Sequence, residues 1–281
     1  MTWQNGSFVP GKTALVTGAA SGIGRAVVFA LAERGATALV LVDRDPKALQ
    51  QTHQDLECRF GKTIQIMPHL GDVTDEGFRQ ATFDAAYRQF GGLQILVPAA
   101  GITRDARAVR RNRDTNQMES YPIADFRLVL EVNLTAAMHW SLELLRRVAE
   151  GRRTRGLGKW TCAMEQHEAA IVAVGSVSSD GNDAQMSYAA GKAGLASAVF
   201  SIIRDCIYYG VYIGVIEPGF TDTAMVDKID GKYFAENILP KIPIGRKIAP
   251  EEIAHCALFM IETRLVSCLR ADGGLTYGTL Y

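Results

Sequence analysis

The sequence predicts an α/β fold built on a doubly wound, seven-stranded parallel sheet with helices on both faces. Short β-branched runs alternate with longer helical runs along the whole chain. A strand at 13–17, a helix at 22–34 and a strand at 38–42 form a βαβ unit, which implies a right-handed crossover between parallel strands. A chain of 281 residues, 48% of them hydrophobic, suits one large domain and is short for two, so we expect a single domain over 1–281.

The same alternation predicts the remaining elements in order. Further strands are expected at 63–67, 93–97, 169–174, 211–216 and 265–270. Further helices are expected near 75–90, near 124–149, around Tyr188 and near 250–262. Three stretches, 103–121, 151–168 and 220–248, are too long or irregular for simple connections. Long loops in a compact domain are usually functional or disordered.

Composition excludes several classes of function. Thirty basic and thirty acidic side chains cancel, so neither a nucleic acid nor a membrane surface is indicated as a partner. Five scattered cysteines without a C-x-x-C pair indicate reduced thiols and no zinc site, and the histidines show no metal-ligand spacing. No signal peptide or membrane-spanning run is apparent. We therefore expect a soluble, cytoplasmic protein without a bound metal.

A glycine-rich loop directly follows the first strand. It reads TGAASGIG and places Gly18, Gly22 and Gly24 at the entrance to a helix. Glycines at such a turn let the backbone approach a pyrophosphate, which then lies at the positive end of the helix dipole. The loop therefore predicts a Rossmann-type dinucleotide site. Its glycines are spaced four and two apart, unlike the more widespread G-x-G-x-x-G pattern.

A second motif places Tyr188 and Lys192 one helical turn apart in a run of small residues. Side chains at i and i+4 share one face of a helix, so the phenol and the ammonium can point to the same place. Taken alone, the fragment favours a plainer interpretation, a tyrosine at the edge of the core beside a solvated lysine.

The two motifs together resemble the short-chain dehydrogenase/reductase family, in its single-domain branch. The family pattern is T-G-x-x-x-G-x-G near the amino terminus and Y-x-x-x-K in the second half. The resemblance extends along the chain through Asp72-Val73, AAG at 99–101, Asn133, Ser176, PGFTDT at 218–223 and ADGG at 271–274.

The resemblance implies an oxidoreductase that interconverts a secondary alcohol and a ketone. Tyr188 would carry the proton, and Lys192 would lower the pKa of the phenol together with oxidised nicotinamide and bind the nicotinamide ribose. Ser176 would polarise the substrate oxygen, with Ser178 as a rival because Ser176 lies one residue closer to Tyr188 than the family spacing. Asn133 would support a proton relay through a water near Lys192.

The acid at the end of the second strand indicates which dinucleotide is bound. Asp43 lies nineteen residues past Gly24, where a carboxylate accepts hydrogen bonds from the adenosine ribose. Because a carboxylate repels a 2′-phosphate, we expect NAD rather than NADP. Arg44 is the complication, since it could hold that phosphate. Ser21 occupies the position where NADP-preferring relatives often carry a basic residue.

The resemblance also supplies the remaining cofactor contacts. Asp72 and Val73 would contact the adenine, and Ile23 would lie under the cofactor. The Phe220 backbone and the Thr223 hydroxyl, or alternatively Thr221, would meet the carboxamide. The full predicted cofactor-binding set is Gly18, Ser21, Gly22, Ile23, Gly24, Asp43, Arg44, Asp72, Val73, Ala100, Gly101, Tyr188, Lys192, Pro218, Gly219, Phe220, Thr221 and Thr223.

The chain departs from the family pattern after the fourth strand. PAAG replaces N-N-A-G, so the strand should end at Pro98 and the usual asparagine hydrogen bonds are in doubt. The segment AGITRD resembles β-ketoacyl-carrier-protein reductases. Five arginines within 104–113 and a second basic stretch at 151–160 look like insertions, expected as solvated loops. The first could alternatively attract an anionic substrate or an acidic carrier protein.

Three functional hypotheses remain open from the sequence. The first is an NAD(H)-dependent alcohol dehydrogenase or ketone reductase acting on a small molecule. The second keeps this chemistry with an acyl-thioester substrate, and the third is a non-catalytic dinucleotide sensor or scaffold. A homo-oligomer, either a dimer or a tetramer, is expected from the family resemblance.

Overall fold

The predicted sheet is present in the computed structural model, which describes residues 7–162 and 166–275. The seven parallel strands lie in the order β3-β2-β1-β4-β7-β8-β9. They are β1 (Thr13–Thr17), β2 (Ala38–Asp43), β3 (Gln65–Leu70), β4 (Ile95–Pro98), β7 (Ala169–Val174), β8 (Val211–Pro218) and β9 (Cys268–Ala271). A separate antiparallel hairpin consists of β5 (Val109–Arg111) and β6 (Met118–Ser120).

Helices connect the strands and cover both faces of the sheet. They are α1 (Gly22–Glu33), α2 (Pro46–Phe60), α3 (Glu76–Phe90), α4 (Ile123–Leu130), α5 (Ala137–Thr154), α6 (Met186–Tyr208), the single turn α7 (Gly231–Tyr233) and α8 (Pro250–Thr263). The sequence analysis did not place α2. This helix is capped by Asp45 and buries only Leu49, Thr52 and Leu56, so its apolar pattern is weak.

Two predicted strand boundaries are wrong at the edges of the sheet. The strand expected at 63–67 begins at Gln65 and runs to Leu70, because residues 61–63 form a 3₁₀ turn after α2. The strand expected at 265–270 spans only Cys268–Ala271. Both are outermost strands that pair on one side only, so their exposed residues weaken the apolar signal.

The core consists of two apolar layers separated by the sheet. Helices α1, α2 and α8 pack on one face, and α3, α5 and α6 pack on the other. All five residues of β1 and all eight of β8 are buried. Such continuous buried runs are typical of parallel strands covered on both sides.

Helix α6 is long and apolar enough to cross a membrane by length and composition. Its residues Leu195, Val199 and Cys206 are fully buried against the sheet, and it also buries Lys192. We therefore interpret α6 as a core helix of this domain.

The second basic insertion is not simply a solvated loop. Helix α5 continues to Thr154, past the end predicted near 149. Arg152 is only 1% exposed and pairs with Glu168 at 2.9 Å. The expectation of a solvated stretch is wrong at this residue, and positions 163–165 lie outside the described residues.

The first insertion is also ordered, as the β5–β6 hairpin. We call residues 104–121 the arginine arm. The Tyr121 hydroxyl donates to the Arg104 carbonyl at 2.7 Å and lies 2.8 Å from the Ser187 hydroxyl at the start of α6. The Ala106 N–H donates to the Ala184 carbonyl at 2.9 Å. These contacts fix the arm against the amino-terminal end of α6.

Candidate active site

A cleft of about 910 Å³ opens at the carboxyl ends of the strands. The chain reverses its winding direction between β1 and β4, and open α/β sheets bind ligands at such a switch point. All residues of the predicted cofactor-binding set line this cleft, and Ser176 lines it as well. Asn133 is the one predicted site residue that does not.

The glycine loop has no room for side chains at two positions. A Cβ on Gly24 would lie 2.1 Å from the Gly18 carbonyl oxygen. Gly18 has a φ of +68°, and a Cβ there would lie 2.9 Å from the Ala100 Cα. Helix α1 begins at Gly22 without an acidic residue in its first turn, and this end of the helix lines the cleft. This arrangement fits a dinucleotide pyrophosphate.

At the adenosine end of the cleft, the Asp43 carboxylate holds the glycine loop by a hydrogen bond. Its carboxylate accepts hydrogen bonds from the backbone N–H groups of Ala20 at 3.0 Å, Arg44 at 2.7 Å and Asp45 at 3.1 Å. Hydrogen bonds from Thr74 and the charge of Arg44 hold the pKa of Asp72 below its usual value. Arg44 thus interacts with Asp43 through its backbone N–H and with Asp72 through its charge.

Tyr188 lies at the inner part of the cleft, beside Ser176. The pKa of the Tyr188 phenol is raised to about 12, chiefly by burial, with a hydrogen bond to Ser176 opposing the increase and the nearby charge of Asp105 adding to it. This direction differs from the lowered pKa expected from the sequence, which assumed oxidised nicotinamide. In the cofactor-free protein, desolvation is the larger effect and the phenol keeps its proton at neutral pH.

Lys192 is 4% exposed and lies 5.6 Å from the centre of the Tyr188 ring. Its ammonium donates to the Val174 carbonyl at 2.6 Å, and burial lowers its pKa to about 8. Gly101 lies beside the ammonium, since a Cβ there would be 3.8 Å from Nζ.

The geometry favours Ser176 over Ser178 as the polarising hydroxyl. Ser176 Oγ accepts from the Ser178 N–H at 3.1 Å and hydrogen-bonds with Tyr188. The Ser178 hydroxyl instead donates to Gln185 Oε1 at 3.1 Å. Of the two serines, Ser176 is therefore the one that hydrogen-bonds with Tyr188.

Asn133 is fully buried in a π-helical segment, Glu131–Ala136, which interrupts the helix predicted at 124–149. Its side chain accepts from the Ile102 N–H and donates to the Ile102 carbonyl, both at 2.8 Å. Asn133 thus ties this helix to the segment that follows β4. π-Bulges occur frequently at functional sites. Its relay role remains a prediction.

The segment at 218–223 forms the cleft wall opposite the glycine loop. Thr221 is buried, and its hydroxyl donates to the Gly219 carbonyl at 3.1 Å. The Thr223 hydroxyl donates to the Thr221 carbonyl at 3.3 Å, and the Thr223 methyl lies 3.0 Å from the position of a Cβ on Gly22. Thr223 therefore faces the glycine loop closely, while Thr221 faces inward.

Where the family pattern has two asparagines after the fourth strand, this chain has Pro98 and Ala99, and backbone N–H groups supply hydrogen bonds to the neighbouring strand. The strand ends at Pro98 as expected, and the N–H groups of Ala99 and Ala100 donate to the carbonyl and the hydroxyl of Thr17, each at 3.2 Å. These hydrogen bonds join β4 to β1 at the floor of the cleft. The asparagines of the family pattern are therefore not needed to hold the two strands together here.

Two cleft residues were missed by the sequence analysis. Gln185 Nε2 donates to Asp105 Oδ2 at 2.9 Å, and both residues line the cleft near Tyr188. Gln185 stands three residues before Tyr188, so its proximity could have been inferred. Asp105 lies near Tyr188 only because the arginine arm folds back onto α6. No local sequence pattern predicts that folding.

Comparison with known proteins identifies the family. Residues 12–233 match the family model described as short chain dehydrogenase. The chain belongs to this family. Among curated relatives, the 3-oxoacyl-[acyl-carrier-protein] reductases of Thermotoga maritima and Vibrio cholerae are 30% and 32% identical over 270 residues. These alignments cover 94% of this chain and 98% and 97% of the relatives.

Other members of the short chain dehydrogenase family are similar over the same span. Carbonyl reductase family member 4 of Danio rerio is 32% identical over 270 residues, covering 94% of this chain and 98% of the relative. A solved structure of a putative gluconate dehydrogenase from Agrobacterium tumefaciens superposes with a TM-score of 0.78 at 26% identity, covering 95% and 96% of the two chains. A short-chain type dehydrogenase/reductase from Mycobacterium marinum superposes at 0.79 with 24% identity and the same coverage, which supports the fold.

Proposed function

We propose that this short chain dehydrogenase is an NAD(H)-dependent enzyme that interconverts a secondary alcohol and a ketone. The observation that carries the proposal is the meeting of Ser176, Tyr188 and Lys192 at the inner end of a cleft whose outer part is the glycine loop. The bound nicotinamide supplies the hydride chemistry. The protein supplies the proton, the polarisation of the substrate oxygen and the binding of the cofactor.

Each side chain has a distinct role in ketone reduction. Tyr188 Oη donates its proton to the substrate oxygen, and its raised pKa keeps that proton available at neutral pH. Ser176 Oγ hydrogen-bonds to the same oxygen and stabilises the charge that develops there. Lys192 binds the ribose hydroxyls and stabilises the phenolate that Tyr188 leaves behind.

The preference for NAD over NADP is part of this proposal. Two carboxylates, Asp43 and Asp72, line the adenosine end together with one cation, Arg44, so the local charge is unfavourable for a 2′-phosphate. The carboxylate of Asp43 also lies where it can accept hydrogen bonds from the ribose.

The role of Tyr188 is tested by Tyr188→Phe. We expect kcat for ketone reduction to fall by roughly 100-fold or more, while NADH affinity, measured by fluorescence titration, stays within a few-fold. Tyr233→Phe is the matched control, because Tyr233 is 52% exposed outside the inner cleft. Lys192→Ala should impair both turnover and binding. Comparable activity in wild type and Tyr188→Phe would refute the assignment.

A second candidate is reduction of a β-ketoacyl thioester. It is favoured by the similarity to 3-oxoacyl-[acyl-carrier-protein] reductases and by the AGITRD segment at 100–105. The carbonyl reductase relative is equally similar and supports the simpler ketone substrate. Comparing kcat/KM for an acetoacetyl thioester with that for simple ketones decides between the two. Cofactor binding without turnover of either class would instead indicate a sensor or scaffold.

We further propose a cytoplasmic homo-oligomer, a dimer or a tetramer, that acts on a small molecule. Helices α5, α6 and α8 leave large apolar side chains exposed, namely Leu142, Phe200, Ile207 and Phe259. These side chains offer apolar surface for contacts between subunits. Light scattering coupled to size exclusion measures the oligomeric state, and a monomer would contradict this part of the proposal.

A further inference from the structure

The arginine arm places its cations on two different sides. Arg104 and Arg110 line the cleft, whereas Arg107, Arg111 and Arg113 do not. Strand alternation explains the split at β5, since neighbouring residues of a strand face opposite ways. Arg110 faces the cleft and Arg111 faces away from it, although the two are adjacent in sequence.

The charge of Arg110 is only loosely paired. Its cross-strand neighbour Glu119 lies 3.8 Å away, and Glu119 already accepts a hydrogen bond from Asn112 at 2.6 Å. A charge-assisted hydrogen bond between guanidinium and carboxylate would be about 2.7–2.9 Å. Arg110 can therefore form a closer contact with another anion that enters the cleft.

A second cation lines the same cleft. Lys228, which follows the 218–223 segment, lines the cleft and is exposed, and among the described residues it forms no ion pair. Two carboxylates also line this part of the cleft: Asp105 accepts from Gln185 at 2.9 Å, and Asp125 lies 3.9 Å from Arg104. The cations Arg104, Arg110 and Lys228 outnumber them, so this part of the cleft favours an anion.

The arm is fixed relative to Tyr188. Besides the Tyr121 contacts, the Ala106 N–H donates to the Ala184 carbonyl and Gln185 binds Asp105. Ala184 adopts a φ of +59°, a conformation unusual for a residue with a side chain. These contacts attach the arm to the turn that leads directly into α6. The backbone of the arm is consequently positioned before any substrate binds, so an anion has only the exposed Arg110 side chain left to order.

We propose that Arg110 is a specificity-determining residue that binds a carboxylate, or an equivalent anionic group, at the outer end of a small ketone or alcohol substrate. Lys228, which lines the same cleft, adds a second positive charge. The substrate class is therefore an oxo-carboxylate or hydroxy-carboxylate, with its carbonyl or carbinol carbon at Tyr188. The inference rests on the proposed function. An acidic carrier protein would instead meet the outward arginines Arg107, Arg111 and Arg113.

The test compares Arg110→Gln with Arg111→Gln, its neighbour on the same strand. We would measure kcat/KM for 4-oxopentanoate and 5-oxohexanoate and for their methyl esters, with NADH, at low and high salt. Arg110→Gln should lower kcat/KM for the carboxylates by roughly 10-fold or more, since a hydrogen bond between charged groups is lost. The esters should change by less than about 2-fold, and Arg111→Gln should leave both classes within that range.

A binding measurement separates this inference from the proposed function. Calorimetry with the unreactive anions pentanoate and hexanoate, in the presence of NADH, requires no turnover. Binding that is weakened by Arg110→Gln and kept by Arg111→Gln supports the anion site even if no ketone is reduced. Equal losses on acid and ester, or equal losses from the two variants, would overturn the inference. A loss confined to Arg111→Gln with a carrier-linked thioester would also overturn it, because it would indicate docking of a protein.

Discussion

Lys192 carries a buried ammonium whose pKa is lowered to about 8, which makes its effect on stability dependent on pH. Below pH 8 the lysine is charged in the folded and the unfolded state, so the full burial penalty of roughly 3 kcal/mol applies. As the pH rises from about 8 towards the unfolded value of 10.5, the folded protein releases the proton first and the penalty is relieved.

We therefore expect Lys192→Met to raise the Tm relative to wild type most strongly below pH 8. The difference should shrink between pH 8 and 10.5, within the window set by the pKa shift. Calorimetric scans across this range measure the effect, with Lys62→Met as the control because Lys62 is exposed. A difference that stays constant or grows with pH would contradict the buried-charge account.

Asp43 is expected to determine cofactor choice through its charge. Because the carboxylate also accepts the Ala20 N–H, an alanine would disturb the glycine loop as well. Asp43→Asn keeps an oxygen acceptor and removes the charge, so it should raise the ratio of kcat/KM for NADP to that for NAD by roughly 10-fold.

The control for this experiment is Asp45→Asn. Asp45 caps helix α2 and lies outside the cleft lining, so its charge should have little effect on the ratio. A wild-type protein that prefers NADP would show that Arg44 outweighs Asp43.

At the scale of single elements, the turn from β1 into α1 depends on the absence of side chains. Gly24→Ala would place a Cβ 2.1 Å from the Gly18 carbonyl oxygen, so we expect it to lower the Tm and to abolish NADH binding. Gly151→Ala is the matched control, since a Cβ in that part of α5 meets nothing within 4 Å.

In an open helical position, alanine should stabilise the protein by about 0.5–1 kcal/mol relative to glycine. A Tm lowered by Gly24→Ala and raised by Gly151→Ala would therefore support this explanation of the turn. Normal NADH binding by Gly24→Ala would contradict it.

The attachment of the arginine arm to α6 is expected to depend on the Tyr121 hydroxyl. Tyr121→Phe removes the contacts to Arg104 and Ser187, so the arm should detach more readily from α6. Because the arm is rich in arginine, limited trypsin digestion should cut it faster in the variant, and mass spectrometry locates the cuts. Tyr233→Phe should leave the digestion rate unchanged. An equal rate in Tyr121→Phe would show that other contacts hold the arm.

The elements that the sequence predicted correctly are those determined by residues close together in the chain. The glycine loop, the buried strands and the Tyr188–Lys192 pair are encoded by spacing within a few turns, and the structure places the loop and the pair in one cleft. The missed helix α2 and the shifted edge strands reflect weak apolar patterns. The other failures involve partners that are distant in the chain. The hairpin in the arginine arm, the π-helical turn at Asn133 and the buried Arg152 depend on contacts with α6, Ile102 and Glu168, which no single segment specifies.

At the scale of the whole molecule, cofactor binding should stabilise the folded protein against unfolding, because the cleft joins segments from both halves of the sheet. NADH at about 100 times its Kd should add roughly 2.7 kcal/mol and raise the Tm by several degrees. The same concentration of NADPH should raise it less. Identical shifts with the two dinucleotides would contradict the role of Asp43, and the absence of any shift would contradict the dinucleotide site itself.

The central claim, that this cleft transfers a hydride between nicotinamide and a carbonyl carbon, is tested most directly by isotope transfer. The protein would be incubated with NADH deuterated on the transferred face of C4 and a panel of ketones that includes 5-oxohexanoate. Mass spectrometry and NMR would then locate the label in the product. The account predicts an alcohol that carries deuterium at its carbinol carbon, formed by the wild type and not by Tyr188→Phe. Unlabelled alcohol, or no alcohol from any ketone in the panel while NADH is bound, would contradict it.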